Sequence, residues 1–292
     1  MSSVELTLVW YTNTMNIHEK TIIITGASDG IGLEAARELK KQGANVVIVG
    51  RSPKKTKAAG KELAVPYFIT DFTRLEEVRT LAASLKKAYP RIDVLANNAG
   101  GLFGDREVTV DGFEKTMQVN HLAHFLLTTL LMDTLIKSKA TIINTSSVAN
   151  SLLGDFNIDD LNMKKKYTAG KACGNAKLEN ILFTKELNRL YGKKAISAVA
   201  FHPGGVATNF GNEANGLVKF IYHSPLKKYL GLITPAKGAD TLVWLATTEP
   251  RKDWTPGEYY VKRKIAKANN KAYDPKLATS LWKQSAAMIN NS

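Results

Sequence analysis

Six short apolar runs set the limits on this fold: TIIIT (21–25), NVVIVG (45–50), YFIT (67–70), IDVLANNAG (92–100), ATIINTSS (140–147) and ISAVAFHPG (196–204). They are continuous rather than alternating in polarity, so both faces of each strand must be covered. Amphipathic stretches such as IGLEAARELKKQG (31–43), closed by Gly43, lie between them. Strands buried on both faces and alternating with helices predict an α/β fold, a doubly wound parallel sheet between two helical layers. GEYYVKRK (257–264) reads as a last strand, making the sheet mainly seven-stranded, and ADTLVWLATT (239–248) reads as a helix. The tail from Asp274 to Ile289 also reads as a helix, with Leu277, Leu281 and Met288 on one side.

No repeat or low-complexity linker interrupts this rhythm, so residues 21–292 are expected to form a single domain. The first twenty residues, MSSVELTLVWYTNTMNIHEK, stand outside it as an N-terminal extension. Their apolar patch, Leu6 to Tyr11, is too short to cross a bilayer, and a basic start and a small-residue cleavage site are missing. With Met15 just before the fold, the leader is either a start-site extension or an accessory arm. The rhythm stops after Gly204, and residues 206–235 read either as a lid over a site or as a plain surface insertion.

The net charge of +14 attracts nucleotides, acidic surfaces or anionic lipid headgroups without choosing among them. No RNA-binding motif or long single-sign run is present, so nucleic acid is not an expected partner. One cysteine excludes an internal disulfide and a thiolate zinc cage and fits a reducing compartment, with the cytoplasm as the expected location. The five histidines show no metal-ligand spacing; His121 and His124, three apart on a helix, are read as ordinary helix residues.

TGASDGIG, Thr25 to Gly32, follows a strand and opens a helix, the setting of a phosphate-binding turn. Glycines at 26, 30 and 32 let the backbone turn sharply beside a pyrophosphate, which the helix amino end then stabilises. Together with NNAG (97–100), this Gly-x-x-x-Gly-x-Gly spacing resembles the short-chain dehydrogenase/reductase family from about Thr21 to Lys264. The resemblance implies a Rossmann-type fold. It also implies a nicotinamide dinucleotide held by Thr25, Gly26, Ser28, Asp29, Gly30, Ile31 and Gly32 and by Asn98, Ala99 and Gly100. Pro203, Gly204, Val206 and Thr208 complete the implied cofactor set. The second strand ends in Gly50, Arg51 and Ser52 rather than an acidic residue, and a guanidinium and hydroxyl there favour the 2′-phosphate of NADP(H) over NAD(H). Asp71 matches the family residue beside the adenine, or else caps the next helix.

The family's working group is Asn, Ser, Tyr and Lys. By resemblance Asn120 is the asparagine, and Ser147, the second of the pair after INT, is the serine. In similar chains the catalytic tyrosine lies about thirty residues before the proline of the HPG turn. Cys173 is thirty residues before Pro203, and Tyr167 is thirty-six. KLENILFTKEL (177–187) resembles the retinol-dehydrogenase-like branch in the same register, which makes Lys177 the family lysine and sets Cys173 in the tyrosine's slot. The competing register uses Tyr167 and Lys171, which also satisfy Tyr-x-x-x-Lys.

A thiol has suitable acidity for the phenol's proton transfer, but its sulfur ends an aromatic ring short of the phenol oxygen. Three accounts stay open. The cysteine replaces a tyrosine in an otherwise intact enzyme; or water, Ser147 or a repositioned Tyr167 donates the proton; or the chain is a dinucleotide-binding, non-catalytic regulatory or interaction protein. With no partner histidine at hand, covalent catalysis by Cys173 is not favoured.

Leu217, Val218, Phe220, Ile221, Tyr222, Tyr229, Leu230 and Ile233 would give the lid apolar walls and predict an apolar aldehyde, ketone or alcohol as substrate. Lys219, Lys227 and Lys228 are interleaved among them and allow weak contact with a membrane surface. The resemblance also implies a homodimer or homotetramer built on the helices that carry Asn120 and Lys177.

Overall fold

In the computed structural model, residues 17–206 and 232–290 are described. Their backbone forms one sheet. Strands β1 (Thr21–Thr25), β2 (Asn45–Gly50), β3 (Tyr67–Ile69), β4 (Val94–Asn97), β5 (Thr141–Thr145), β6 (Ser197–His202) and β7 (Tyr259–Val261) run parallel in the order β3-β2-β1-β4-β5-β6-β7. The order reverses between β1 and β4, so the crevice of a doubly wound sheet opens there, at the carboxyl ends of the strands.

Five of the six apolar runs are buried on both faces as expected; the YFIT run is not, because β3 is the edge strand of the sheet and leaves Tyr67 and Ile69 exposed. Ile22 and Ile24 join one core layer with Ala35, Ala36 and Leu39 of α1 (Gly30–Lys41), while Ile23 joins the other with Val78 and Leu85 of α3 (Leu75–Ala88). The α1 layer is completed by α2 (Pro53–Leu63) and by α9 (Pro235–Thr247), whose Leu242, Val243 and Leu245 are buried. The opposite layer holds α5 (Ala123–Leu130), α8 (Ala169–Tyr191) and the C-terminal α10 (Pro275–Asn290).

The predicted last strand is not continuous. Lys262 and Arg263 adopt left-handed backbone (φ 50° and 61°), and the chain doubles back into a two-residue antiparallel eighth strand, β8 (Lys264–Ile265). Positive φ at both central residues defines the tight hairpin turn that suits twisted strands.

Residues 17–20, counted above with the extension, pack on the domain. Asn45 donates its backbone N–H to the Lys20 carbonyl, and the His18 ring fills the space where a side chain on Gly43 would stand. Residues 1–16 lie outside the described residues. So do Thr208 and the residues Leu217, Val218, Lys219, Phe220, Ile221, Tyr222, Lys227, Lys228, Tyr229 and Leu230 of the expected lid or insertion. The two ends of that segment meet, since Ile233 donates its N–H to the Gly205 carbonyl at 2.8 Å and bridges in parallel to Val206.

Two local features place catalytic candidates. The short helix α4 (Lys115–Met117) runs into α5 through a π turn, Gln118–Leu122, and Asn120 sits inside that turn. Such single π turns re-aim side chains, often at functional sites. The other feature is the start of α8. Thr168 caps it, accepting the Lys171 N–H, so Tyr167 lies before the helix while Cys173 and Lys177 lie within it.

Candidate active site

A cavity of about 410 Å³ opens at the carboxyl ends of β1, β2, β4, β5 and β6. Its floor is the turn after β1. Gly26 (φ +67°) and Gly30 (φ +57°) hold left-handed backbone, and a Cβ on Gly32 would come within 2.5 Å of the Gly26 carbonyl oxygen. A Cβ at Gly26 or Gly32 would meet backbone atoms, Gly30 suits its left-handed conformation, and the turn delivers the amino end of α1 to the cavity. Asp29 caps that helix by accepting the Gly30 N–H at 2.7 Å.

Thr25 and Asn98 lock the turn to β4. The Thr25 hydroxyl oxygen accepts the N–H groups of Asn98 (2.9 Å) and Ala99 (3.0 Å), and Asn98 Nδ2 donates back to the Thr25 carbonyl. Ser28, Ile31, Ala99, Gly100, Pro203, Gly204 and Val206 line the same cavity. The structure therefore brings together the predicted cofactor set apart from Thr208, with Thr25 just behind the wall.

At the end of β2, Arg51, Ser52 and Lys55 line one side. Ser52 caps α2, and Lys55 forms an ion pair with Asp29 at 2.7 Å. Lys55 was missed in the sequence, although Ser52 as cap and Pro53 in the first turn already place it beside Arg51. Asp71 lines the cavity and accepts the Thr73 N–H, whereas the next helix, α3, is capped from a distance by Asp111, which accepts the Leu75 N–H at 2.9 Å. The capping alternative for Asp71 is thus overturned.

Across the cavity stand Ser147 and Lys177, with Asn120 buried directly behind Gly100. A Cβ on Gly100 would lie 2.4 Å from Asn120 Oδ1 and 3.4 Å from Lys177 Nζ. Asn120 Nδ2 donates to the carbonyls of Gly101 and Thr116, while its buried Oδ1 has no hydrogen-bond partner in the protein. A buried polar atom left open beside a cavity is a place for a ligand or solvent group. Lys177 Nζ donates to the Thr145 carbonyl, and burial lowers its pKa, partly offset by Cys173. Ser147 is half-buried, its hydroxyl accepting the Ala149 N–H; its neighbour Ser146 is buried and bonds the Lys177 carbonyl, pinning α8 to β5.

Cys173 is buried one helical turn before Lys177 and is not among the lining residues. Burial pushes its thiol pKa up, against the pull of Lys177. Tyr167 does not line the cavity either. Its hydroxyl donates to the Gly104 carbonyl, and Lys171 pairs with Asp155 at the surface. Among the described residues no group of side chains could hold a metal ion.

Strand order, switch-point cavity and glycine turn define the class: a Rossmann-type α/β protein that binds a dinucleotide. The family model described as short chain dehydrogenase matches residues 20–216. A protein of Streptomyces sp. (strain C5) assigned as a daunorubicin C-13 ketoreductase is 41% identical over 279 residues, covering 93% of each chain. Human retinol dehydrogenase 13 is 34% identical over 281 residues, covering 92% of this chain and 84% of its own. Among solved structures, an uncharacterized protein from Mycobacterium paratuberculosis superposes with a TM-score of 0.75 at 29% identity, covering 93% of this chain and 94% of that one. The Pseudomonas aeruginosa RhlG/NADP complex shares the fold, with a TM-score of 0.67 at 23% identity over 84% and 96% of the two chains. The chain belongs to the short-chain dehydrogenase family and is retinol-dehydrogenase-like within it; its class is oxidoreductase and its cofactor a nicotinamide dinucleotide.

Proposed function

We propose that the protein is an NADP(H)-dependent oxidoreductase acting on an apolar aldehyde or ketone, or the corresponding alcohol, with turnover limited by Cys173 in the slot of the family tyrosine. The observation that carries this reading is the convergence of Ser147 and Lys177 on one cavity, with Asn120 directly behind its Gly100 wall, while Lys171 is engaged at the surface. The glycine cradle, the open Asn120 Oδ1 and the buried ammonium of Lys177 fit a dinucleotide there. Arg51, Ser52 and Lys55 supply the charge and hydroxyl that a 2′-phosphate needs.

When bound, the nicotinamide supplies or accepts the hydride. The protein's part is position and electrostatics. Lys177 holds positive charge at the end of β5, and Ser147 offers a hydroxyl to a substrate oxygen. Phe72, Leu102, Phe103 and Val119 contribute apolar wall. In that slot a thiol buried behind the cavity wall is a poor proton donor compared with a phenol that would reach the cavity. The names of the relatives, a ketoreductase and retinol dehydrogenases, point to the same carbonyl–alcohol interconversion.

A second reading, a dinucleotide-binding protein without turnover, is favoured by one observation: Cys173 does not line the cavity. NADPH oxidation with a panel of apolar carbonyls separates the two, since the second reading requires NADPH-induced thermal stabilisation with no turnover.

Among the described residues no helix is long and apolar enough to cross a membrane. The single, buried and reduced cysteine supports a cytoplasmic location. The basic lid residues keep a weak membrane contact within the proposal. The outer faces of α5 and α8 are covered by α10 of the same chain: Trp282 packs on Phe125 and Phe183. Any homodimer or homotetramer would therefore use another face.

A further inference from the structure

We propose that His124 is a positioning residue that couples the cofactor turn at Thr25 to Asn120; this rests on the oxidoreductase reading above and extends it to a side chain outside the cavity. His124 is fully buried on the first turn of α5. Its Nδ1 lies 3.2 Å from the Asn120 carbonyl oxygen and its Nε2 lies 3.2 Å from Thr25 Oγ1.

A carbonyl cannot donate, so Nδ1 carries the proton and Nε2 presents a bare lone pair. The Thr25 hydroxyl, whose oxygen already receives two N–H groups from Asn98 and Ala99, can direct its single proton to Nε2, with the Ala96 carbonyl at 3.2 Å as the alternative acceptor. Burial lowers the ring's pKa to about 3, so protonation does not break the link at neutral pH. Phe72 packs edge-on at 5.3 Å and fixes the plane of the imidazole.

The link continues beyond Asn120. Its carbonyl also accepts from Asn180 Nδ2 (3.1 Å), which donates its other hydrogen to the Thr145 carbonyl (3.0 Å), the group that Lys177 Nζ contacts. One imidazole thus joins the turn that would bind the pyrophosphate to the network that orients Asn120 and Lys177.

Two substitutions divide the link. His124→Asn keeps a donor near the Asn120 carbonyl and removes the acceptor facing Thr25; His124→Gln keeps an acceptor toward Thr25 and removes the donor to Asn120. NADPH affinity is read by fluorescence titration. Turnover is read at saturating NADPH in the wild-type and in the Cys173→Tyr backgrounds, so a low basal rate does not hide the effect. The expected result is a split: His124→Asn weakens NADPH binding about tenfold with saturated turnover within about twofold, and His124→Gln lowers saturated turnover about tenfold with affinity within about twofold. Long-range nitrogen–proton NMR should find the wild-type ring protonated on Nδ1. The proposal is overturned if both variants match wild type, if affinity and turnover fall together in step with melting temperature, or if the ring is protonated on Nε2. Failure of both backgrounds to bind NADPH sinks the oxidoreductase reading itself, and the positioning role with it.

Discussion

Lys177 and Cys173 stand one helical turn apart on the buried side of α8, yet only the lysine reaches the cavity, where its ammonium lies 3.3 Å from the Thr145 carbonyl. This difference in reach between two neighbours on one helix underlies the proposed chemistry. The cation that would steady the cofactor is in place, and the group that would move the proton is short.

Cofactor choice is tested at the end of β2. Arg51→Ala removes a guanidinium suited to a 2′-phosphate and is expected to raise the NADPH dissociation constant tenfold or more, on the order of a charge-assisted hydrogen bond. NADH binding should change less than threefold. Equal losses for both cofactors would assign Arg51 no part in the choice.

A buried acid pair gives a pH signature. Glu179 is buried, one carboxylate oxygen has no hydrogen-bond partner in the protein, and burial followed by the nearby Glu114 pushes its pKa well above the usual 4.5. The folded chain therefore keeps a proton that the unfolded chain releases near the usual value, and stability falls as pH rises through that window. Glu179→Gln should raise the melting temperature at about pH 8, with the gain shrinking toward about pH 4. A gain that does not vary with pH would contradict this assignment.

Close backbone contact fixes the helix that follows Ser147, α7 (Ala149–Leu152), against α8. A Cβ on Gly174 would come within 2.6 Å of the Gly154 nitrogen and 2.8 Å of the Ala149 carbonyl oxygen. Gly174→Ala should cost roughly 1–3 kcal/mol, the usual penalty of overpacking, and lower whatever turnover Ser147 supports. Denaturant unfolding that leaves stability unchanged would show that the contact relaxes freely.

The C-terminal helix is expected to keep the faces of α5 and α8 out of any subunit contact. Trp282 meets the rings of Phe125 at 4.9 Å, Phe183 at 5.8 Å and Tyr191 at 6.0 Å between centroids. Light scattering of the wild type and of Trp282→Ala reads whether uncovering this face adds a subunit contact. Trp282→Ala should cost about 3 kcal/mol and, by uncovering these rings, promote association. A stable wild-type dimer that Trp282→Ala dissociates would reverse this view of α10.

Much of this was readable from residue pattern alone, for a physical reason. Strands buried on both faces have to be continuous runs such as TIIIT and NVVIVG, and a turn whose backbone excludes Cβ has to spell glycine at 26 and 32. Interactions distant in sequence were not readable. Asp111, not Asp71, caps α3, because capping needs only one well-placed acceptor and the fold brings it from the loop before α4. The left-handed pair Lys262–Arg263 carries no glycine or asparagine to signal a turn, so the final strand read as unbroken. The links of His124 to Thr25 and Asn120 look like ordinary core histidine chemistry in a sequence, since direction is what distinguishes them. That Cys173 lies behind the cavity wall follows from side-chain length on a packed helix, which spacing does not record.

The most direct measurement is the rate of NADPH oxidation with an apolar ketone by wild-type protein and by Cys173→Tyr, Tyr167→Phe and the pair combined. If the cysteine occupies the proton donor's seat, Cys173→Tyr raises turnover by at least tenfold and Tyr167→Phe leaves it within about twofold in either background. Unchanged turnover in Cys173→Tyr, together with its loss in Tyr167→Phe, would move the chemistry to the tyrosine before α8 and contradict the assignment.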